Sequence, residues 1–299
     1  MKQEEEILKI KRGYLHGDFE FFHLKDKKVM DFESHYHEFN KIVVFISGSV
    51  TYFIEGKSYK LKPWDLLFIS SNEVHRPIIS AKEPYERIVL WVNSKFLEMH
   101  NSSNSNLLSC FELSSKEKLN LLRLNAENIK IIKNTLFSLE NAINSKDFGS
   151  SILKNALFIE LMVYLNRLFL TRDINEKEMD VEYDHTIEAI LGYINENLTE
   201  DLSIESISSR FYINKYYLMH KFKDQTGYTL HSYIQQKRLI SAIALIKKGL
   251  PITEVSIECG FKDYSSFVRA FKKNFGLSPK KYYKTILELE NSYNIHKHS

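Results

Sequence analysis

One pattern occurs twice in the last third of this chain, and it restricts that region to pairs of short helices. Ile204, Ile207-Ser208, Ile213, Leu218, Phe222-Lys223 and Gly227 return as Ile252, Val255-Ser256, Phe261, Phe267, Phe271-Lys272 and Gly276, offset by 48 residues in the first half and 49 in the second. Apolar residues three and four apart mark amphipathic helices, so each copy reads as a short helix, a tight turn and a second helix. The start and stop residues agree. Ser203 stands where an N-cap belongs, with Glu205 favourable near the positive helix end, and Asn214 is the matching cap before KYYLMHKFKDQTG. A long helix from about Thr229 to Lys248 joins the copies; Gly249 ends it and Pro251 prevents its continuation. Ser278-Pro279 opens a last helix. The reading is two helix-turn-helix units, about residues 203–226 and 252–275.

Charge is segregated along the chain. Ile204 to Leu287 holds 15 Lys/Arg against 5 Asp/Glu, whereas the first 183 residues hold 25 basic and 26 acidic side chains. A basic helical region attracts polyanions such as nucleic acid, although a solvated lysine-rich surface gives the same count. Between the two regions, residues 173–184 (DINEKEMDVEYD) carry six acids, one Lys and no apolar period, which predicts a linker. The expected layout is a first domain over 1–172, a linker over 173–184 and a DNA-binding domain over 185–299.

The motif text carries a resemblance. Tyr217-Leu218 through Phe222-Lys223 to Gly227, then Tyr233, Arg238-Leu239 and Ala242, begin it. Ile252-Thr253-Glu254-Val255, Gly260-Phe261, Asp263, Ser266-Phe267, Arg269-Ala270-Phe271-Lys272 and Gly276-Leu277-Ser278-Pro279 complete it. Over roughly residues 187–285 the chain resembles the DNA-binding region of AraC/XylS-family bacterial transcription regulators. Departures are Ser208 and Ser256 where the family usually has Ala, and Tyr212 where the first turn often has Gly. The resemblance implies a sequence-specific regulator of double-stranded DNA, not an enzyme, in which the second helix of each unit enters the major groove. By matching position, Tyr216, Met219 and His220 would read bases from the first unit, and Tyr264, Ser265 and Arg269 from the second. Arg269 can fork onto guanine, while Met219 offers only apolar contact. Ser203, Lys215, Lys223, Lys262, Lys272 and Lys273 are candidates for phosphate contact, and each has a plain reading as cap or solvated surface.

The first domain predicts short strands over about 19–92, in segments such as IVVFISG, VTYFIEG and DLLFIS, separated by Gly48-Ser49, Glu55-Gly56 and Pro63-Trp64-Asp65. The period then changes to helical over about 116–172. Ala156–Leu170 is apolar on more than one face, suited to core packing or to pairing with a second copy in a homodimer. His35-Tyr36-His37, Gly48, Gly56, Pro63, Asp65 and His75 resemble a cupin. The expected fold class is therefore α+β and multidomain: an N-terminal cupin-like β-barrel with trailing helices, then an all-α domain with two helix-turn-helix units.

Metal-binding cupins would use His35, His37 and His75, but Lys41 holds the place of their Glu and an ammonium repels a divalent cation, so neither metal nor cofactor is expected. Trp64 likewise replaces the Gly usual after Pro63. The expected role is a sensory pocket using His37, Trp64, His75, Arg76, Arg87 and Trp91, a set suited to a sugar or small carboxylate, each of them equally readable as core or surface. The chain start, about residues 3–17, is a candidate arm over that pocket. Alternatives are a ligand-independent regulator whose first domain only dimerises, and a metal-dependent cupin enzyme. The resemblance also leaves room for contact with RNA polymerase. Two cysteines, Cys110 and Cys259, make no disulfide framework, MKQEEEILKIKRG is no secretory signal, and no run of about 18 apolar residues occurs, so a cytoplasmic protein away from membranes is expected.

Overall fold

The computed structural model describes residues 15, 17–26, 35–80, 83–172 and 181–285, in two compact units that divide between Tyr183 and Asp184. The candidate arm lies almost wholly outside the described residues, as does 173–180 of the acidic segment.

The first unit has three layers. A five-stranded sheet runs in the order β1 (Phe19–Asp26), β7 (Tyr85–Val92), β2 (Asn40–Ser47), β5 (Leu66–Ile69), β8 (Leu121–Leu122). A four-stranded sheet has the order β6 (His75–Ile79), β3 (Val50–Ile54), β4 (Lys57–Lys60), β9 (Val181–Glu182). Helices α1 (Ser94–Glu98), α2 (Ser109–Glu117), α3 (Ala126–Asn144) and α4 (Ser150–Leu170) complete the unit. Strand alternation explains the layering, because successive side chains point to opposite faces. On β2 and β5, Ile42, Val44, Leu66 and Phe68 join a core with Leu136, Leu139, Phe158, Leu161 and Leu165 from α3 and α4. Their neighbours Val43, Phe45, Leu67 and Ile69 pack instead with Tyr52, Ile54 and Tyr59 of the second sheet. The central sheet is thus buried on both faces, which is why its strands are apolar throughout rather than alternating.

The expected closed, cupin-like barrel is not what these strands form. Among the described residues the two sheets stay open, with β1 and β8 edging one and β6 and β9 the other. The reason lies in the turns. Among the described residues only Glu55-Gly56 closes a hairpin, between β3 and β4. The connections β2–β3, β4–β5, β5–β6 and β6–β7 each carry the chain from one sheet to the other, so consecutive strands become layers instead of neighbours in one ladder. A barrel requires an unbroken ladder around its wall. At Gly48, φ is +110° and a Cβ would stand 2.9 Å from the Pro84 carbonyl oxygen, so this crossover needs glycine. A second difference is β8: Leu121 and Leu122 fall inside the stretch expected to be helical but extend the β5 edge, fully buried. At one edge of the four-stranded sheet, Val181 and Glu182 pair with Tyr59 and Ser58.

The second unit is helical: α5 (His185–Glu196), α6 (Ile204–Arg210), α7 (Lys215–Thr226), α8 (Leu230–Lys247), α9 (Ile252–Glu258) and α10 (Tyr264–Phe275), with a further helix entering at 279. Side-chain caps begin most of them. Asp184, Ser203, Asn214, Thr229 and Asp263 accept hydrogen bonds from the first-turn amides of α5, α6, α7, α8 and α10. Gly227 and Gly276 end α7 and α10 at positive φ. Leu218 and Phe222 of α7 and Phe267 and Phe271 of α10 are fully buried, the matching anchors of the two repeats. The turn residue is Tyr212 in one unit, at φ +53°, and Gly260 in the other, at φ +75°.

Candidate nucleic-acid interface and ligand pocket

Burial on one side of a helix fixes what the other side presents. With Leu218, Phe222 and Thr226 inward, α7 exposes Lys215, Tyr216, Tyr217, His220 and Lys223, while Met219 is half-buried. With Phe267, Ala270, Phe271 and Phe275 inward, α10 exposes Tyr264, Ser265, Arg269, Lys272 and Lys273. The candidate readers therefore lie at the N-terminal end and outer face of each second helix. The Asn214 carboxamide oxygen accepts from the Tyr216 amide at 2.8 Å, and Asp263 accepts from the Ser266 amide at 2.7 Å. The Ser266 bonds hold the Asp263 carboxyl below its usual range, so an anion sits at the start of α10. Arg269 Nη2 reaches the Ser266 hydroxyl at 3.4 Å, and the residue is exposed, its guanidinium at the surface near the Asp263 carboxylate. Lys215 Nζ lies over the Tyr216 ring, 5.4 Å from its centroid. Ser203 accepts from the Ser206 amide at 3.2 Å and donates to Asp201 at 3.0 Å, so its hydroxyl is already engaged as a cap. Lys262 is exposed in the second turn.

Two hydrogen bonds from one arginine brace the helix that connects the repeats. Arg238 of α8 donates from Nε to the Leu198 carbonyl at 2.8 Å and from Nη2 to the Glu200 carbonyl at 2.9 Å, tying the connecting helix to the loop before α6. The Gly260 turn packs against that same loop.

In the first unit a cavity of about 250 Å³ opens between the sheets, lined in part by Phe22, His37, Lys41, Tyr52, Arg87 and Trp91. Of the six candidate ligand residues, His37, Arg87 and Trp91 line it. His75 lies behind His35 and His37, with ring centroids 4.5 and 5.2 Å away, its Nδ1 3.0 Å from the Glu73 carbonyl. Arg76 alternates to the other face of β6 and packs over Phe53. Trp64, at φ +70° in the crossover, packs toward the helical core beneath Lys133.

The imidazole nitrogens of His35, His37 and His75 lie within 4.8 Å of one another. Lys41 Nζ stands 3.4 Å from His75 Nε2. Burial, then the neighbouring Lys41, His35 and His37, push the His75 imidazole well below its ordinary range, so it is neutral. An ammonium against the nitrogen that would ligate does not fit a divalent cation. Sequence reasoning passed over Lys41, Tyr52 and Tyr85 as pocket residues. The readable signal was parity: Lys41 shares the face of Val43 and Phe45 on an apolar strand.

Comparison with known proteins follows this division. A family model described as an AraC-like ligand binding domain matches residues 23–162, and one described as a helix-turn-helix domain matches residues 207–285. The chain is similar to the HTH-type transcriptional activator RhaS of Citrobacter koseri, 23% identical over 254 residues that cover 83% of this chain and 86% of that protein. RhaS of Escherichia fergusonii is 22% identical over 250 residues, with the same coverage. Among solved structures, ToxT from Vibrio cholerae aligns over 89% of this chain and 98% of its own, with 16% identity and a TM-score of 0.35. The C-terminal domain of AraT from Geobacillus stearothermophilus aligns over 34% of this chain and 86% of its own, with 27% identity and a TM-score of 0.34. These relatives are regulators rather than enzymes, and no helix among the described residues is long and apolar enough to cross a membrane. With an AraC-like ligand binding domain model and a helix-turn-helix domain model matched in this order, and similarity to transcriptional activators over most of its length, the chain is a DNA-binding transcription regulator.

Proposed function

We propose that the two helix-turn-helix units read adjacent major grooves and that a small molecule held between the sheets of the first unit sets the affinity of that binding. The observation that carries the DNA reading is the shared outward face of α7 and α10, where Tyr216 and His220 match Ser265 and Arg269 above equivalently placed buried anchors, Leu218 and Phe222 in one helix and Phe267 and Phe271 in the other. Base edges are read by Tyr216, Met219, His220, Tyr264, Ser265 and Arg269, while Lys215, Lys223, Lys262, Lys272 and Lys273 meet phosphates and fix the register. Ser203 contributes through its cap, orienting α6. The effector acts by binding one DNA-binding arrangement better than another, since only differential affinity shifts an equilibrium.

A homodimer completes this reading. In α4 the apolar residues Phe158, Leu161, Met162, Leu165 and Phe169 are consumed by the core, whereas Phe137 of α3 and Ile152 and Leu153 at the start of α4 are more than half exposed. A second copy would cover them. The test is a footprint of the purified protein upstream of its own gene, in physiological salt with competitor DNA. Two protected direct or inverted sites are expected. Diffuse binding that salt abolishes, with every effector class tried, refutes sequence-specific recognition.

A further inference from the structure

Charge inside the cavity is unbalanced in a way that names a ligand class. Among the described residues two cationic side chains face it, Lys41 and Arg87. Arg87 is compensated: its guanidinium is ion-paired with Asp26 and lies over the Tyr85 ring. Lys41 is not. Among the described residues its one hydrogen-bond partner is His75 Nε2, at 3.4 Å, and no carboxylate lies within ion-pair distance of it. Among the described residues lining the cavity, none is Asp or Glu. A desolvated ammonium without a counter-ion is unfavourable, and buried charges in folded proteins are ordinarily paired. Tyr52 and Tyr85, joined hydroxyl to hydroxyl at 3.0 Å, add neutral hydrogen-bonding capacity at the same wall. Trp91 stands directly across the β2–β7 ladder from Lys41, and Phe22 meets Trp91 edge-on at 4.9 Å between centroids, giving an apolar wall beside the charge.

We infer that the cavity between the sheets takes a small organic acid, with its carboxylate paired to Lys41 and its body against Trp91 and Phe22. The cavity volume of about 250 Å³ restricts the body to roughly one sugar ring or one aromatic ring. This inference rests on the proposed effector pocket and adds the charge of its ligand.

The chain has two tryptophans, and Trp64 lies on the other side of the sheet, so Trp64→Phe leaves Trp91 as a reporter inside the cavity. In that full-length background, Trp91 emission is titrated to millimolar concentrations with two matched pairs: D-galacturonate against D-galactose, and benzoate against benzyl alcohol. The pairs separate a sugar acid from an aromatic acid. The expected result is that one acid binds at least about tenfold more tightly than its neutral partner, the margin of a charge-assisted bond. Lys41→Met and Lys41→Gln, both checked for folding by circular dichroism, should abolish that preference. A neutral partner that binds as tightly as its acid, or a preference that survives both Lys41 variants, overturns the inference and leaves the effector pocket standing. No response to any of the four compounds overturns both.

Discussion

Replacing Gly260 with Ala should destabilise the second unit while leaving the first untouched. Gly260 has φ +75°, and a Cβ there would come within 2.9 Å of Thr199 Cα and 3.1 Å of Arg238 Nε, and closer still to the Leu198 carbonyl oxygen. A left-handed backbone costs an L-residue about 1–2 kcal/mol. The clash adds to this, because its nearest partners are backbone atoms that cannot swing aside. Moving the Leu198 carbonyl also stretches its 2.8 Å bond from Arg238, and a hydrogen bond to a charged group contributes about 1.5–3 kcal/mol. The total is about 3–5 kcal/mol, against about 5–15 kcal/mol for a typical domain. For a unit near 100 residues this lowers Tm by more than about 10 °C. Both tryptophans belong to the first unit, so tryptophan emission reports that unit, while far-ultraviolet circular dichroism weights the all-helical second. On heating, the dichroism transition should fall and the fluorescence transition should stay in place. A shift in dichroism worth less than about 1 kcal/mol would refute the packing argument, as would equal shifts in both probes.

Tyr212 occupies the matching turn at φ +53° and is 95% exposed, so Tyr212→Gly relieves backbone strain without losing packing and should raise the same dichroism Tm by an amount worth about 0.5–1 kcal/mol. Burial, reinforced by Arg87, lowers the Lys41 ammonium to about 8. Below pH 8 both folded and unfolded chains hold that proton and the fold bears the penalty of the buried charge; above it the folded chain sheds the proton first, so stability should climb from pH 8 toward 10.5, and urea titrations should show the climb absent in Lys41→Met. Arg269→Ala should cost about 1–3 kcal/mol and relax preference at one base pair, whereas Lys272→Ala should weaken all DNA alike and reduce the salt slope by about one. A binding scan over base-substituted sites separates the two, and an unchanged preference in Arg269→Ala removes that residue from the reading face.

The second unit was legible because its signals are local. A cap such as Asn214 or Asp263 acts within its own first turn, and the buried anchors Leu218, Phe222, Phe267 and Phe271 recur at helical spacing. Nothing distant has to be known to place them. The sheets were less legible because a turn residue does not say where the next strand goes. Gly48-Ser49 and Glu55-Gly56 look alike in the sequence, yet the first crosses between sheets and the second closes a hairpin. That one ambiguity turned two open layers into an expected barrel. Leu121-Leu122 was lost for a related reason: two residues are too short for any period, and only the waiting edge of β5 makes them a strand.

Parity, not residue type, decides what the pocket holds. Trp64 and Trp91 are equally attractive as ligand-stacking rings, but one sits in a crossover facing the helices and the other alternates inward with Arg87 and Val89. His75 and Arg76 are neighbours, and the pleat sends them to opposite faces of β6. The same alternation brings Lys41 inward beside Val43 and Phe45, a position where a lysine opposes the apolar surroundings that hold the layers together. A strand of this kind gains nothing in stability from an unpaired ammonium, and an apolar residue of similar length would pack there at lower cost. The charge makes physical sense when something anionic arrives to meet it, which is also the condition for a pocket whose occupancy changes the energy of the fold around it.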